Sequence, residues 1–374
     1  MSHWFKAPRS PVTTLIAMVL AGAIALFIGA IAFAWSGVGD IAASQGHYLF
    51  VQRFLEFGMR HAVARHAMWI EPPDDLENPN LIRLGAAHFH RGCAFCHGAP
   101  GIPVNPIANH MLPSPPDLAT SMRPWKDREL FWIVKNGFKY TGMPGWVAIE
   151  REDEIWAVVA FLKQIPKLDP EQYKDLALGK VLLSPQSGAE LATMESNPRA
   201  ASACARCHGA EGEGPISNLV PVLHGQPADY LMSTLTAYGE GKRRSGIMQP
   251  LAADLRADDM QQLATFYAGL SPPPIGSTSS DAALIERGRI IASGVPASNI
   301  PPCGTCHTNA AYPHLAGQHA GYIAGQLRLW KKGHRPKEGN AAMMASIAEH
   351  LSDADIDAVA AYYSQLKVTD ALLR

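Results

Sequence analysis

The longest apolar stretch of the chain runs from Thr13 to Trp35 without one charged residue. At about 1.5 Å per residue it is long enough to cross roughly 30 Å of hydrocarbon, so it predicts a transmembrane helix. Lys6 and Arg9 precede it, and the first charge after it is Asp40. That bias puts the N-terminus in the cytoplasm and everything after Trp35 outside. A cleaved signal peptide is the rival reading, with Ala32-Phe33-Ala34 as the cleavage site, although signal cores are shorter, about 7–15 residues. Both readings export the rest of the chain. From Tyr48 to Met68, apolar Leu49, Phe50, Phe54, Phe57 and Met59 are interspersed with Arg53, Arg60 and Arg65. This predicts a helix, read as a stalk or, alternatively, as a partner-docking helix.

Further along, one arrangement of polar and apolar positions occurs three times. Each copy opens with Cys-x-x-Cys-His: Cys93-Ala94-Phe95-Cys96-His97, Cys204-Ala205-Arg206-Cys207-His208 and Cys303-Gly304-Thr305-Cys306-His307. A Gly/Pro-rich loop then leads to Pro116-Asp117-Leu118, Pro221-Val222-Leu223 or Pro313-His314-Leu315. Nine residues after each of those prolines stands an aromatic, Trp125, Tyr230 or Tyr322. The helical run that follows ends at Gly137, Gly241 or Gly333, the residue type that caps helix C-termini. A methionine comes next in a loop, and then a last amphipathic helix. The methionine stands twelve residues before a matching apolar position, as in Met143 to Ile155, Met248 to Met260 and Met344 to Ile356. This register selects Met344 over Met343. Asp353 to Leu366 has helical spacing, with Ser352 as its cap.

No stretch alternates with the period of a strand, so the fold class is all-α: an N-terminal transmembrane helix followed by three small domains. Residues 1–36 form the cytoplasmic tail and anchor, 37–78 a helical stalk or linker, and 79–167, 181–270 and 284–374 the domains. Pro166 to Lys180 and Ser271-Pro272-Pro273-Pro274 through Asp281 read as linkers between them.

With a net charge of −1 over 374 residues, bulk charge points to neither nucleic acid nor an acidic surface. All six cysteines lie in the three motifs, leaving none for a disulfide, a zinc site or a free thiol. Two cysteines three apart on a helical turn can each add across one vinyl group of haem, and the adjacent histidine supplies an axial ligand. A redox dithiol or half a zinc site needs only a lone Cys-x-x-Cys, and three copies with histidine disfavour both. The expectation is three covalently bound haem c groups, with His97, His208 and His307 as ligands. A haem burying about 400 Å² of apolar surface contributes on the order of 10 kcal/mol, which lets a small domain fold around it.

Methionine is by default core filler. The shared offset singles out Met143, Met248 and Met344 as the other axial ligands. A thioether opposite imidazole raises the potential and closes the iron to peroxide and oxygen. The proline of each Pro-x-Leu lends its carbonyl to the histidine ring N–H or is an ordinary turn proline. Lys242-Arg243-Arg244 pairs with haem propionates or is a solvated basic run. His110, His224 and His314 lie in haem-proximal loops.

These residues resemble the class I cytochromes c over nearly all of the chain after about residue 79. The last two repeats look like the dihaem periplasmic cytochromes of the c-four group. The likeness is carried by Leu223-His224-Gly225-Gln226 with Tyr230-Leu231, and by Leu315-Ala316-Gly317-Gln318 with Tyr322-Ile323 and Gln326-Leu327. Ile300-Pro301-Pro302 before Cys303 fits too. The resemblance implies class I cytochrome c domains, two of them packed face to face with their haems close enough for fast exchange. The first repeat is similar to a single-haem branch, with Thr141-Gly142-Met143-Pro144-Gly145-Trp146 as its ligand loop. Two departures stand out: an added haem domain with an anchor, which argues against a diffusing shuttle, and Thr308 where glycine is usual.

The implied role is electron transfer, not catalysis, on the periplasmic face of a bacterial inner membrane. Electrons would pass from a quinol-oxidising bc complex to a terminal haem-copper oxidase. Redox proteins and the inner membrane are the expected partners, with no nucleic acid and no small-molecule substrate. The alternative is the cytochrome subunit of a membrane-bound flavin or quinoprotein dehydrogenase. A multihaem peroxidase would need one iron without a methionine. No nucleotide loop, catalytic triad or non-haem metal cage is evident in the sequence.

Overall fold

The computed structural model describes residues 11–179, 204–210, 214–273, 281–295, 300–338 and 340–367. Helix α1 (Pro11–Ser36) is exposed along its whole length. Among the described residues it is the one helix long and apolar enough to cross a membrane. Helix α2 (Leu49–His66) fills the predicted second stretch. Phe50, Phe54 and Phe57 are exposed on it, whereas Val63 and Ala67 at its far end are fully buried. There Glu56 pairs with Arg123 at 2.7 Å, His66 stacks on Trp132 at 5.6 Å and Arg60 lies 5.8 Å over the Trp125 ring. The end of the stalk is therefore docked on the helices that follow.

The first helical unit comprises α3 (Pro79–Gly92), α4 (Asp127–Asn136), α5 (Glu152–Leu162) and α6 (Pro170–Leu178). Asn78 accepts from Asn80 N–H and Pro79 occupies the first turn, which together start α3. Phe89, Phe161, Ile165 and Tyr173 fill the centre of the unit. The segment from Pro166 to Lys180, expected as a linker, instead carries α6. Asp169 caps it by accepting from Glu171 and Gln172 N–H, and Tyr173 and Ala177 are buried against α3. Apolar positions on one face gave it something to bury, and the cap gave it a start.

In the second unit, α7 (Ala228–Gly239) packs on α8 (Met248–Ala253) and α9 (Ala257–Gly269) around Leu231, Ala264 and Tyr267. In the third, α10 (Ala282–Ala292), α11 (Ala320–Lys331), α12 (Asn340–Glu349) and α13 (Asp353–Gln365) enclose Ile291, Ile323, Leu327 and Ile356. In the first unit α3 and α5 cross at a glycine, and in the third α10 and α13 do. A Cβ at Gly85 would stand 2.0 Å from Ala157 O, and one at Gly288 2.0 Å from Ala358 O. Gly137, Gly241 and Gly333 all have φ between +61° and +73°, the left-handed conformation that closes a helix. Ser352 caps α13 by accepting from Asp355 N–H. Among the described residues the only β-structure is two isolated bridges, Ala99 with Ile102 and Val295 with Ile300.

Candidate functional site

Each Cys-x-x-Cys-His folds into a single helical turn, Ala94–His97, residues 204–208 and Gly304–His307. The following loop brings a proline carbonyl to each histidine. His97 Nδ1 donates to Pro116 O at 3.0 Å, His208 Nδ1 to Pro221 O at 2.9 Å and His307 Nδ1 to Pro313 O at 2.8 Å. A carbonyl only accepts, so each ring carries its proton on Nδ1 and keeps Nε2 as a lone-pair donor. The bond spans 19, 13 and 6 residues in the three units, so it does not depend on loop length. Thr308 ends its turn at φ −102° with its hydroxyl on Gly304 O at 2.9 Å. The loop differs there and the histidine bond is kept.

Burial pushes His208 down to about 4 and lowers His97 and His307 as well. The rings are neutral at pH 7, the form that binds a metal. Burial also pushes the Cys93 thiol up to about 12 and Cys204 up to about 11, and raises Cys207 and Cys303. Such environments disfavour a thiolate, whether as a redox nucleophile or as a zinc ligand. A thioether has no charge to desolvate.

Between the second and third units, and edged by Arg151, Glu154 and Trp156 of the first, lies a cavity of about 710 Å³. Cys204, Cys207, His208 and Met248 line it from one side, and Cys303, Cys306, His307 and Met344 from the other. Leu231, Leu263, Ile323 and Leu327 supply apolar wall. Two arginines stand in the same wall. Arg243, 5% exposed, donates to Tyr322 Oη at 2.9 Å and Gln326 Oε1 at 3.0 Å and lies 4.6 Å over the Tyr238 ring. Arg335 also donates to Gln326 and stacks on Trp330 at 4.2 Å. The Nε atoms of both are buried without a hydrogen-bond partner, and no salt bridge to either occurs among the described residues. Burial, helped by the Arg243 charge, pushes Arg335 down to about 10. Buried cations in this state need an anion. Paired cysteines, neutral histidines, an apolar wall and an uncompensated cationic corner fit a haem and its propionates.

Of the run Lys242-Arg243-Arg244, Arg243 alone turns inward. Lys242 is exposed and pairs with Glu240, and Arg244 pairs with Glu150, each at 2.6 Å. The methionines were expected in loops. Met143 is in one, but Met248 opens α8 and Met344 lies within α12. A helical turn satisfies the backbone there while the thioether still reaches the cavity wall. Met344 packs on the core of its unit, whereas Met343 is 48% exposed. In the first unit Met111 brings a second thioether to the loop of Met143, its sulfur 2.7 Å from where a Gly142 Cβ would be. His110 bonds only Pro106 O, His224 Nε2 donates to Ala210 O, and His314 lines the cavity with Nδ1 unpartnered.

The first unit closes onto the second around a buried carboxylate. Glu154 accepts from Ser245 Oγ–H at 2.5 Å and Gly246 N–H at 2.6 Å, and pairs with Arg151 at 2.8 Å. Ser245 Oγ in turn accepts from Met248 N–H at 2.9 Å. Trp146 presses on Gly246, where a Cβ would meet its Nε1 at 2.2 Å. Neither Arg335 nor Glu154 carries a motif in the sequence. Each is recognisable only by its burial.

Helical units that each carry this histidine–proline bond beside a cysteine pair define a c-type cytochrome. The comparisons with known proteins agree. Residues 80–162 match the family described as cytochrome c oxidase, cbb3-type, subunit III. The chain is 36% identical over 178 residues to the thiosulfate dehydrogenase electron acceptor of Stutzerimonas stutzeri, covering 46% of this chain and 82% of that protein. It is 34% identical over 174 residues to cytochrome c4 of Pseudomonas aeruginosa, covering 44% and 85%. A solved cytochrome c4 of Acidithiobacillus ferrooxidans shares 33% identity at a TM-score of 0.40, over 44% of this chain and 98% of that one. The chain belongs to the cytochrome c family, with relatives of the cytochrome c4 type. Its relatives are electron-transfer proteins, not enzymes in themselves, and the family carries covalently bound haem c.

Proposed function

We propose that this chain is a membrane-anchored trihaem c-type cytochrome that relays electrons on the periplasmic face of a bacterial inner membrane. Helix α1 is the anchor, with the N-terminus cytoplasmic. Cys93 and Cys96, Cys204 and Cys207, and Cys303 and Cys306 hold one haem per domain through thioethers. His97 with Met143, His208 with Met248 and His307 with Met344 would hold the iron. Bound haem supplies a one-electron Fe(III)/Fe(II) couple. The chain's own residues set its conditions. Each proline carbonyl fixes one histidine tautomer, the methionine would supply a thioether to the iron, Arg243 and Arg335 would neutralise propionates, and the leucine and isoleucine wall would keep water out.

What carries this reading is the bond from histidine Nδ1 to a proline carbonyl in all three units. We take the donor to be a quinol-oxidising bc complex and the acceptor a terminal oxidase. The match of residues 80–162 to an oxidase subunit family supports the oxidase end. A second reading, acceptor for a dehydrogenase, is supported by relatives named thiosulfate dehydrogenase electron acceptor in Stutzerimonas stutzeri and Thiomonas intermedia.

Purification from native membranes with bound partners separates the two readings. Co-purifying bc complex or oxidase subunits are expected, and a dehydrogenase in their place reverses the assignment. The denatured chain should retain the mass of three haems. Met248→Ala should lower the potential of one haem and alter its visible spectrum; an unchanged spectrum means that another sulfur ligates.

A further inference from the structure

Two glutamines bridge the second and third units in mirrored fashion. Gln318, from the third, accepts from Val222 N–H on Oε1 at 2.9 Å and donates from Nε2 to Val222 O at 3.0 Å. Gln226, from the second, accepts from His314 N–H at 2.9 Å and donates to His314 O at 2.9 Å. Both side chains are buried. The N–H that Gln318 holds belongs to the same peptide unit as Pro221 O, which accepts from His208 Nδ1. The N–H that Gln226 holds belongs to the peptide unit of Pro313 O, which accepts from His307 Nδ1. A single conjugated amide thus joins the glutamine of one unit to the histidine of the other.

The first unit supplies a contrast within the same chain. Five residues after Pro221 and Pro313 stand Gln226 and Gln318, and five after Pro116 stands Ser121. Its hydroxyl donates to Asp117 O at 2.7 Å, inside its own turn. Among the described residues, His97 has the proline bond without a partner from another unit behind it.

We propose that Gln226 and Gln318 are positioning residues that set the donor strength of the histidine across the junction, Gln318 acting on His208 and Gln226 on His307. This rests on the reading of those histidines as haem-iron ligands. An acceptor on the peptide N–H moves electron density onto the carbonyl oxygen, since bonds in a chain polarise one another. The carbonyl then holds the Nδ1 proton more strongly, and the imidazole becomes a better donor at Nε2. A better donor favours Fe(III), so each glutamine lowers the potential of the opposite unit.

The test is Gln318→Leu and Gln226→Leu in the full chain, purified with haem. Mass of the denatured chain gives haem content, and redox titration gives potentials, each couple assigned by NMR of its haem methyl resonances. Gln318→Leu should raise the couple of the second unit and leave that of the first in place. Gln226→Leu should raise the couple of the third. Shifts confined to the unit that bears the mutation, equal shifts in both, or none, overturn the proposal. A native chain lacking covalent haem at these motifs removes the reading beneath it; three haems with unmoved potentials remove this inference alone. If the leucine variants do not accumulate, amide exchange in the native holoprotein decides. Val222 and His314 N–H should exchange far more slowly than Asp117 N–H, and equal rates overturn the assignment.

Discussion

Between the second and third units, neutral amides mirror each other across the contact. Between the first and second, the contact centres on a buried carboxylate and one indole ring, without symmetry, beside neutral bonds from Ser217 and Asn218 to Asn80. Gln226 and Gln318 each satisfy a backbone N–H and C=O of the opposite unit, so this pair of contacts leaves no charge to desolvate, and Arg243 is the cation beside it. Glu154 and Arg151 are 3% and 8% exposed, with the carboxylate spread over Ser245 and Gly246. The amide contacts carry no titratable group. A buried ion pair holds its geometry tightly and is costly to break on one side. The cavity lies across the amide junction, and Arg151, Glu154 and Trp156 of the first unit also reach its wall.

The largest effect should come from Glu154→Ala, which strands Ser245 Oγ–H and Gly246 N–H and leaves Arg151 with Asp153 and Arg244 O alone. A loss of about 4 kcal/mol is expected, read by denaturant unfolding of the detergent-solubilised chain; a loss under about 1 kcal/mol would make the two junctions alike. Arg243→Ala acts on the other junction, removing the bonds to Tyr322 and Gln326. About 3 kcal/mol is expected there, along with a fall in haem retention.

Acidity should separate the junctions next. Burial pushes the Glu154 carboxyl up to about 7, against the pull of Arg151. The folded state therefore holds more protons than the unfolded between about 4.5 and about 7, so docking of the first unit weakens as pH rises through that window. The change is no more than about 3.5 kcal/mol at about 1.4 kcal/mol per unit. Unfolding midpoints measured across the window should show this slope in the native chain and lose it in Glu154→Gln. Smallest is Asp254→Asn, which removes the 3.8 Å pair with Arg91 at the same junction. Both side chains are well exposed, so less than about 1 kcal/mol is expected from the same unfolding curves.

Helix ends were legible in the residues because they are local. Gly137, Gly241 and Gly333 close helices, and Ser352 caps α13, through atoms a few positions away. The histidine–proline bond was legible as one of two alternatives, and the structure has it three times. Helix α6 was not, because its burial depends on α3, some 80 positions earlier. Gln226 and Gln318 were visible as shared text, but their partners lie 88 and 96 residues away. In Lys242-Arg243-Arg244, composition treats three cations alike, and only packing turns one of them inward.

The chemistry of this protein was set by the chain alone. Cysteines three apart with a following histidine, repeated on one polypeptide, read as haem-attachment text wherever they stand, because the spacing is a property of a single turn. Which histidine leans on which unit, where Arg335 waits for an anion and why Glu154 is charged or neutral were decided in three dimensions. Those depend on burial and on contacts between distant segments, and desolvation is a property of surroundings that no local pattern encodes.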